Sequence, residues 1–371
     1  MRSDVIAKLQ QAMVGEKLDA LVCSSPQNFC YAAGFVVPSH SLMPWRRTAA
    51  IIPQSGQCAI FTVDMEESTA RHQAMDVAVH AWGEFDDRPM NVLASLLEQL
   101  GLSRGRIGVE MDFISAQDHS DLCRLLPAAQ FVGAERFLAI QRRVKTSSEI
   151  GMMRRLSRRA DEAIFLADEH VTDGSSELCL AGQLVNRVYA SGAMDFRLLI
   201  VATGPQSVFT NVGPRTLKLA LKDICRVEIF PIIDGYHAGV CRTAFVEKPP
   251  AHAESIWSLL TECKHTALEM IKPGESTQQI YETFAAKLRK HDLPSIAFLG
   301  HGIGVHLHED PYLSASTNNV LEPGMVLGIE PLVYDTGYGF GMQNKDIVLV
   351  TEDGAELLSD FSDTDHLHSV V

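Results

Sequence analysis

The sequence predicts an α+β protein of two domains, a smaller α/β unit followed by a larger α+β unit. Its 371 residues exceed what one ordinary core spans. The first hundred or so alternate helix-like and strand-like periods, whereas further on helices and antiparallel strand pairs segregate. Between the two, RRVKTSSE at 142–149 carries a Thr146-x-x-Glu149 capping box ahead of a long amphipathic run. The domains are therefore drawn as 1–140 and 141–371.

In the first domain, residues 5–15 form an amphipathic helix and 20–23 a strand. Residues 48–53 and 58–63 pair as a hairpin around Gln54-Ser55-Gly56. A helix over 92–100, a strand over 106–109 and a helix from about Ser115 complete the pattern. In the second domain, helices cover 146–169 and 178–191, and a strand covers 198–202. Asp234-Gly235 then joins two long apolar strands, 226–233 and 236–246, as a tight hairpin. Helices over 253–271 and 277–291 precede Gly-rich strands to about Leu358, and the polar tail from Ser359 is expected to fray.

Hydrophobic residues at 46% and charged residues at 21% describe a core-forming globular chain. A net charge of −14 has the wrong sign for following a phosphate backbone, so nucleic acid is not an expected partner. No apolar run reaches the roughly 18 residues of a membrane helix, and the N-terminus lacks an h-region. Eight scattered cysteines without a framework spacing suit a reducing compartment, so a cytoplasmic location is expected.

Three segments could carry chemistry. Residues 300–311, GHGIGVHLHEDP, bring His301, His306 and His308 together among glycines that let a backbone approach a ligand. A solvated surface loop is the plainer reading. At 323–331, PGMVLGIEP ends an apolar strand on Glu330, a carboxylate that needs a partner or turns to water. At 344–346, Asn-Lys-Asp precedes another apolar strand, a setting in which Lys345 is usually at the surface.

Together with VEIFPIIDGYHAGVCRTAF at 227–245, these motifs resemble the creatinase/prolidase/methionine aminopeptidase family. The resemblance covers nearly the whole chain. It implies a C-terminal pita-bread catalytic domain, a creatinase-type N-terminal domain, and a homodimer in which that domain helps close the partner's site. It also implies, for the metallopeptidases, two ions on two Asp, one His and two Glu. Carried across by position, the His is His301 and one Glu is Glu330, but the others fall on Glu228, Gly239 and Lys345. Two bridging carboxylates are lost and a cation is gained, so the expectation is a site without metal or other cofactor, in which Lys345 lies between Glu228 and Glu330.

The resemblance supplies further candidates. The creatinase proton-transfer His falls near Asn211, and one creatinase carboxylate falls at Cys241. Period-two alternation puts Cys241 on the face of position 239, as a thiolate nucleophile or as a small filler. Arg46, with Arg47 beside it, matches an Arg that reaches a substrate carboxylate across the dimer.

The leading expectation is a hydrolase of a non-peptide C–N bond in a small carboxylate-bearing substrate. His301 and His308 would transfer protons, Glu330 and Lys345 would act on the reacting atoms, and Glu228, Cys241, Arg46 and Asn211 would bind substrate. The alternatives are an Xaa-Pro peptidase using one metal ion on Glu228, His301 and Glu330, and an inactive binding protein that keeps the cavity.

Overall fold

Ala20–Cys23, buried along its whole length, lies inside the first sheet of the protein. In the computed structural model, which describes residues 1–168, 171 and 174–370, this strand pairs antiparallel with Ala49–Pro53 and parallel with Arg106–Val109. Six strands result, and their apolar side chains join helices Pro89–Gln99 and Ala116–Leu125 in one core. Ser25 and Ser115 accept from backbone N–H groups three residues on, the local reason that helices start there. This unit is Met1–Gln141; the second begins at Arg142.

The second unit opens with the capping box. Thr146 N donates to Glu149 Oε2 at 2.7 Å and Glu149 N to Thr146 Oγ1 at 3.4 Å, and helix Ser147–Asp168 follows. Strands Ile224–Ile233 and Tyr236–His237 turn through Asp234 and Gly235, both at positive φ as a type I′ turn requires. The chain then breaks at Ala238-Gly239 before strand Val240–Phe245. A second sheet of this unit contains Phe298–Gly302, Glu309–Ser314, Val326–Ile329, Asp346–Val350 and Ala355–Leu357. Reciprocal backbone hydrogen bonds between Cys241 and Lys345 tie the two sheets together.

Two expectations change. The tail does not fray. Ser359 Oγ donates to Asp346 Oδ1, Ser362 Oγ to Asp161 Oδ1, and His368–Ser369 adds a parallel strand beside Val240–Phe245. Buried Asp161 and Asp346 share Arg242, and the tail adds hydrogen bonds to both oxygens of Asp161 and to Asp346 Oδ1. The glycines at 300 and 302 serve strand pairing, not ligand approach. A Cβ there would lie 2.3 Å from the carbonyl oxygen of Gly328 and of Asp310 respectively. Among the described residues no helix is long and apolar enough to cross a membrane.

Candidate active site

The candidate centre lies where the two sheets of the second unit meet. Strand alternation turns Lys345 and Asp346 to opposite sides. Asp346 is locked by Arg242 at 2.8 Å and Lys264 at 3.2 Å. Lys345, only 1% exposed, extends its Nζ to 3.1 Å from Glu228 Oε1 and 3.1 Å from Glu330 Oε2. The surface setting suggested by residue type is thus overruled, because two carboxylates compensate the buried charge. Burial opposes the ammonium, but Glu330 and Glu228 outweigh it and raise the Lys345 pKa, so it remains charged. Glu330 is likewise opposed by burial, but Lys345 and then His301 hold it below the usual carboxylate range. It does not face water.

His301 is fully buried, and its Nδ1 lies 2.8 Å from the Gly302 carbonyl. A carbonyl only accepts, so Nδ1 carries the hydrogen and Nε2 presents its lone pair to the site. Nε2 faces Lys345 Nζ at 3.3 Å and Glu330 Oε1 at 3.3 Å. That carboxylate oxygen is buried and has no hydrogen-bond partner. Nε2 can accept from Lys345, so it is Glu330 Oε1 that still calls for a proton or a cation. The formal charges agree, since Glu228 and Glu330 exceed Lys345 by one negative charge.

His308 stacks on His301, with ring centroids 3.6 Å apart and planes 12° apart. His308 is exposed, and partial desolvation, then the neighbouring His301 and Lys345, lower its pKa. A lowered basicity weighs against His308 as the proton carrier and suits hydrogen bonding or metal ligation.

The family's pair of ions does not fit these residues. Lys345 Nζ occupies the space between the carboxylates. A Cβ at Gly239 would meet the Phe230 ring at 2.0 Å, and the same ring lies 4.6 Å from Lys345 Nζ. One ion does fit. His301, His308 and Glu330 each offer a ligand atom, all within 4.8 Å of one another. The mononuclear alternative therefore changes one ligand, because Glu228 is held by Lys345 and His308 stands in its place. The His301–Glu330 spacing is close to that of two ligands on one tetrahedral ion, about 3.3 Å for bonds of about 2.0 Å.

Cys241 is fully buried. Burial, then Glu228, raises its thiol well above its ordinary value, and its role is structural, through the backbone bonds that place Lys345. Asn211 is exposed on the loop after residues 204–208. Arg46, in the first unit, makes a two-pronged ion pair with Glu84 at 2.9 and 2.8 Å, and Arg47 pairs with Asp118 at 2.6 Å. Both guanidiniums therefore have partners in their own domain.

Residue patterns missed three contributors. The Phe230 ring packs between Gly239 and Lys345 Nζ. Gln343 Nε2 donates to Glu330 Oε2 at 2.9 Å and its Oε1 accepts from Arg226 Nη1 at 3.0 Å. Arg226, fully buried, also donates to the Phe209 and Thr210 carbonyls, so the loop that carries Asn211 is tied to the site carboxylate.

The profile of metallopeptidase family M24 matches residues 151–352, and that of the creatinase/prolidase N-terminal domain matches 6–144. A Mycobacterium bovis protein named "Probable dipeptidase PepE" is 28% identical over 349 residues, 91% of this chain and 89% of its own. A creatinase from a Bacillus species is 24% identical over 378 residues, 95% of this chain and 89% of its own. The structure of an Xaa-Pro dipeptidase from Bacillus anthracis superposes with a TM-score of 0.85 at 22% identity, covering 98% and 99% of the two chains. These likenesses overturn the expectation of a metal-free hydrolase of a non-peptide C–N bond, since the dipeptidase is the nearer of the two sequence relatives and creatinase the more distant. The chain belongs to metallopeptidase family M24, as a pita-bread hydrolase with a creatinase/prolidase N-terminal domain.

Proposed function

We propose that the protein hydrolyses the C–N bond of short peptides, Xaa-Pro dipeptides first among them, with one divalent ion beside Lys345 in place of two ions. The names of the dipeptidase relatives support the substrate class. The observation that carries the reading is the buried, unpartnered Glu330 Oε1, which faces His301 Nε2 at 3.3 Å beside a fixed ammonium.

His301, His308 and Glu330 would hold the ion, which when bound supplies a Lewis acid for a scissile carbonyl and an acidified water. Lys345 offers a permanent charge to the oxygen that becomes negative as the carbonyl is attacked. Its position is set by Glu228, and it loses no reorganisation energy because both carboxylates already hold it. Gln343 keeps Glu330 Oε2 engaged, which leaves Oε1 as the ligand atom.

The test is chelation followed by titration with Mn, Co, Zn or Fe, reading metal stoichiometry and proline release from Ala-Pro and Met-Pro. One ion per chain with restored turnover is expected. Two ions per chain, or dipeptide binding without turnover at every ion, overturns the proposal.

A further inference from the structure

A cavity of about 260 Å³ lies wholly within the N-terminal unit and takes no part in the chemistry above. Its position follows from the sheet. From Ala20–Cys23 the chain moves to Ala49–Pro53 on one side, and Arg106–Val109 later pairs in parallel on the other. The strand order thus departs in two directions from one strand. In open α/β sheets such a switch point leaves a crevice beyond the carboxyl ends of the strands, where small molecules bind. Ser24 and the segment Phe113-Ile114-Ser115, which follow those two strands, are part of the cavity wall.

The wall has two chemistries. Its floor is apolar, with Val22, Phe61, Met90, Leu93, Val109 and Leu122. Its polar side holds Arg46, tied to Glu84, and the pair Arg47 and Asp118, 2.6 Å apart, with Asp118 only 9% exposed. The cavity is larger than the roughly 150 Å³ that accepts benzene. A wholly apolar ligand would leave the ion pair unused, and a simple anion would lie against Asp118. A zwitterion meets both charges, its carboxylate on the guanidinium and its ammonium on the carboxylate.

We infer that this cavity is a binding site for a free α-amino acid with an aromatic or branched aliphatic side chain. The inference stands independently of the catalytic reading, because every group it uses belongs to the other unit.

Calorimetry on the full chain with L-phenylalanine and L-leucine tests it, with 3-phenylpropionate and phenethylamine as analogues lacking one charge. The His301→Ala variant, which removes a catalytic-centre ligand, should bind L-phenylalanine as the parent does. Leu93→Trp, which fills the floor, and Arg47→Met should each weaken binding at least tenfold; Leu122→Phe replaces Leu93→Trp should that variant not fold. Undiminished binding in the folded filled-cavity variant, loss of binding in His301→Ala, no binding of either amino acid, or equal affinity for the singly charged analogues would each overturn the inference.

Discussion

The Phe230 ring occupies the space that any side chain at Gly239 would need, with 2.0 Å between its edge and the position of a Cβ there. The same ring lies 4.6 Å from Lys345 Nζ, measured to its centroid. The glycine, the aromatic ring and the ammonium therefore pack as one unit.

Gly239→Ala should destabilise the fold by about 1–3 kcal/mol through overpacking. Adding Phe230→Leu should return part of that loss, and a double-mutant cycle in urea measures the coupling. Additive effects would show that the ring and the glycine are independent.

Lys345→Met should cost about 3–5 kcal/mol, because Glu228 and Glu330 are then buried without their counter-charge. Denaturant unfolding at pH 7 measures this. The compensated variant Lys345→Met with Glu228→Gln should recover a share of the loss, whereas an unchanged midpoint in the single variant contradicts the ion triad.

Each unit carries a histidine that burial keeps neutral: His40 in the first and His237 in the second, each lowered to about 4 from 6.5, with a backbone carbonyl opposing the shift. Between these values the unfolded chain binds more protons than the folded one. Stability is accordingly full above about pH 6.5 and falls as the pH drops toward about 4, by about 1.4 kcal/mol per pH unit for each histidine. Urea transitions between pH 7.5 and 4 should show this slope, and His40→Gln should flatten it for the N-terminal unit. A slope unchanged by that substitution rules out His40 as its source.

Arg226→Met should lower kcat/KM for a dipeptide at least about tenfold, or about 1.4 kcal/mol. Loss of the guanidinium frees the Phe209 and Thr210 carbonyls and leaves Gln343 Oε1 without its donor. A positioning role predicts that KM rises as the loop loosens and kcat falls as Glu330 shifts, with the metal stoichiometry kept. A variant that folds and turns over normally removes Arg226 from the site's support.

The features legible in the residues alone were local ones. Asp234-Gly235 marks its hairpin because only a short list of residues adopts two successive positive φ values. Thr146 and Glu149 mark a helix start because they satisfy each other's backbone across one turn. The ordered motifs around His301, Glu330 and Lys345 pointed to the family, and they named the members of the charged cluster.

Only the tertiary structure decided what those members do, because their partners are remote in sequence. Lys345 meets Glu228 across 117 positions, and Ser362 meets Asp161 across 201. A residue's charge state and freedom depend on such contacts, so Lys345 went inward, Cys241 lost its acidity, and the polar tail became part of the core. Residue type can propose a lysine at a metal's address; the surrounding carboxylates and the ring of Phe230 determine that it stays there.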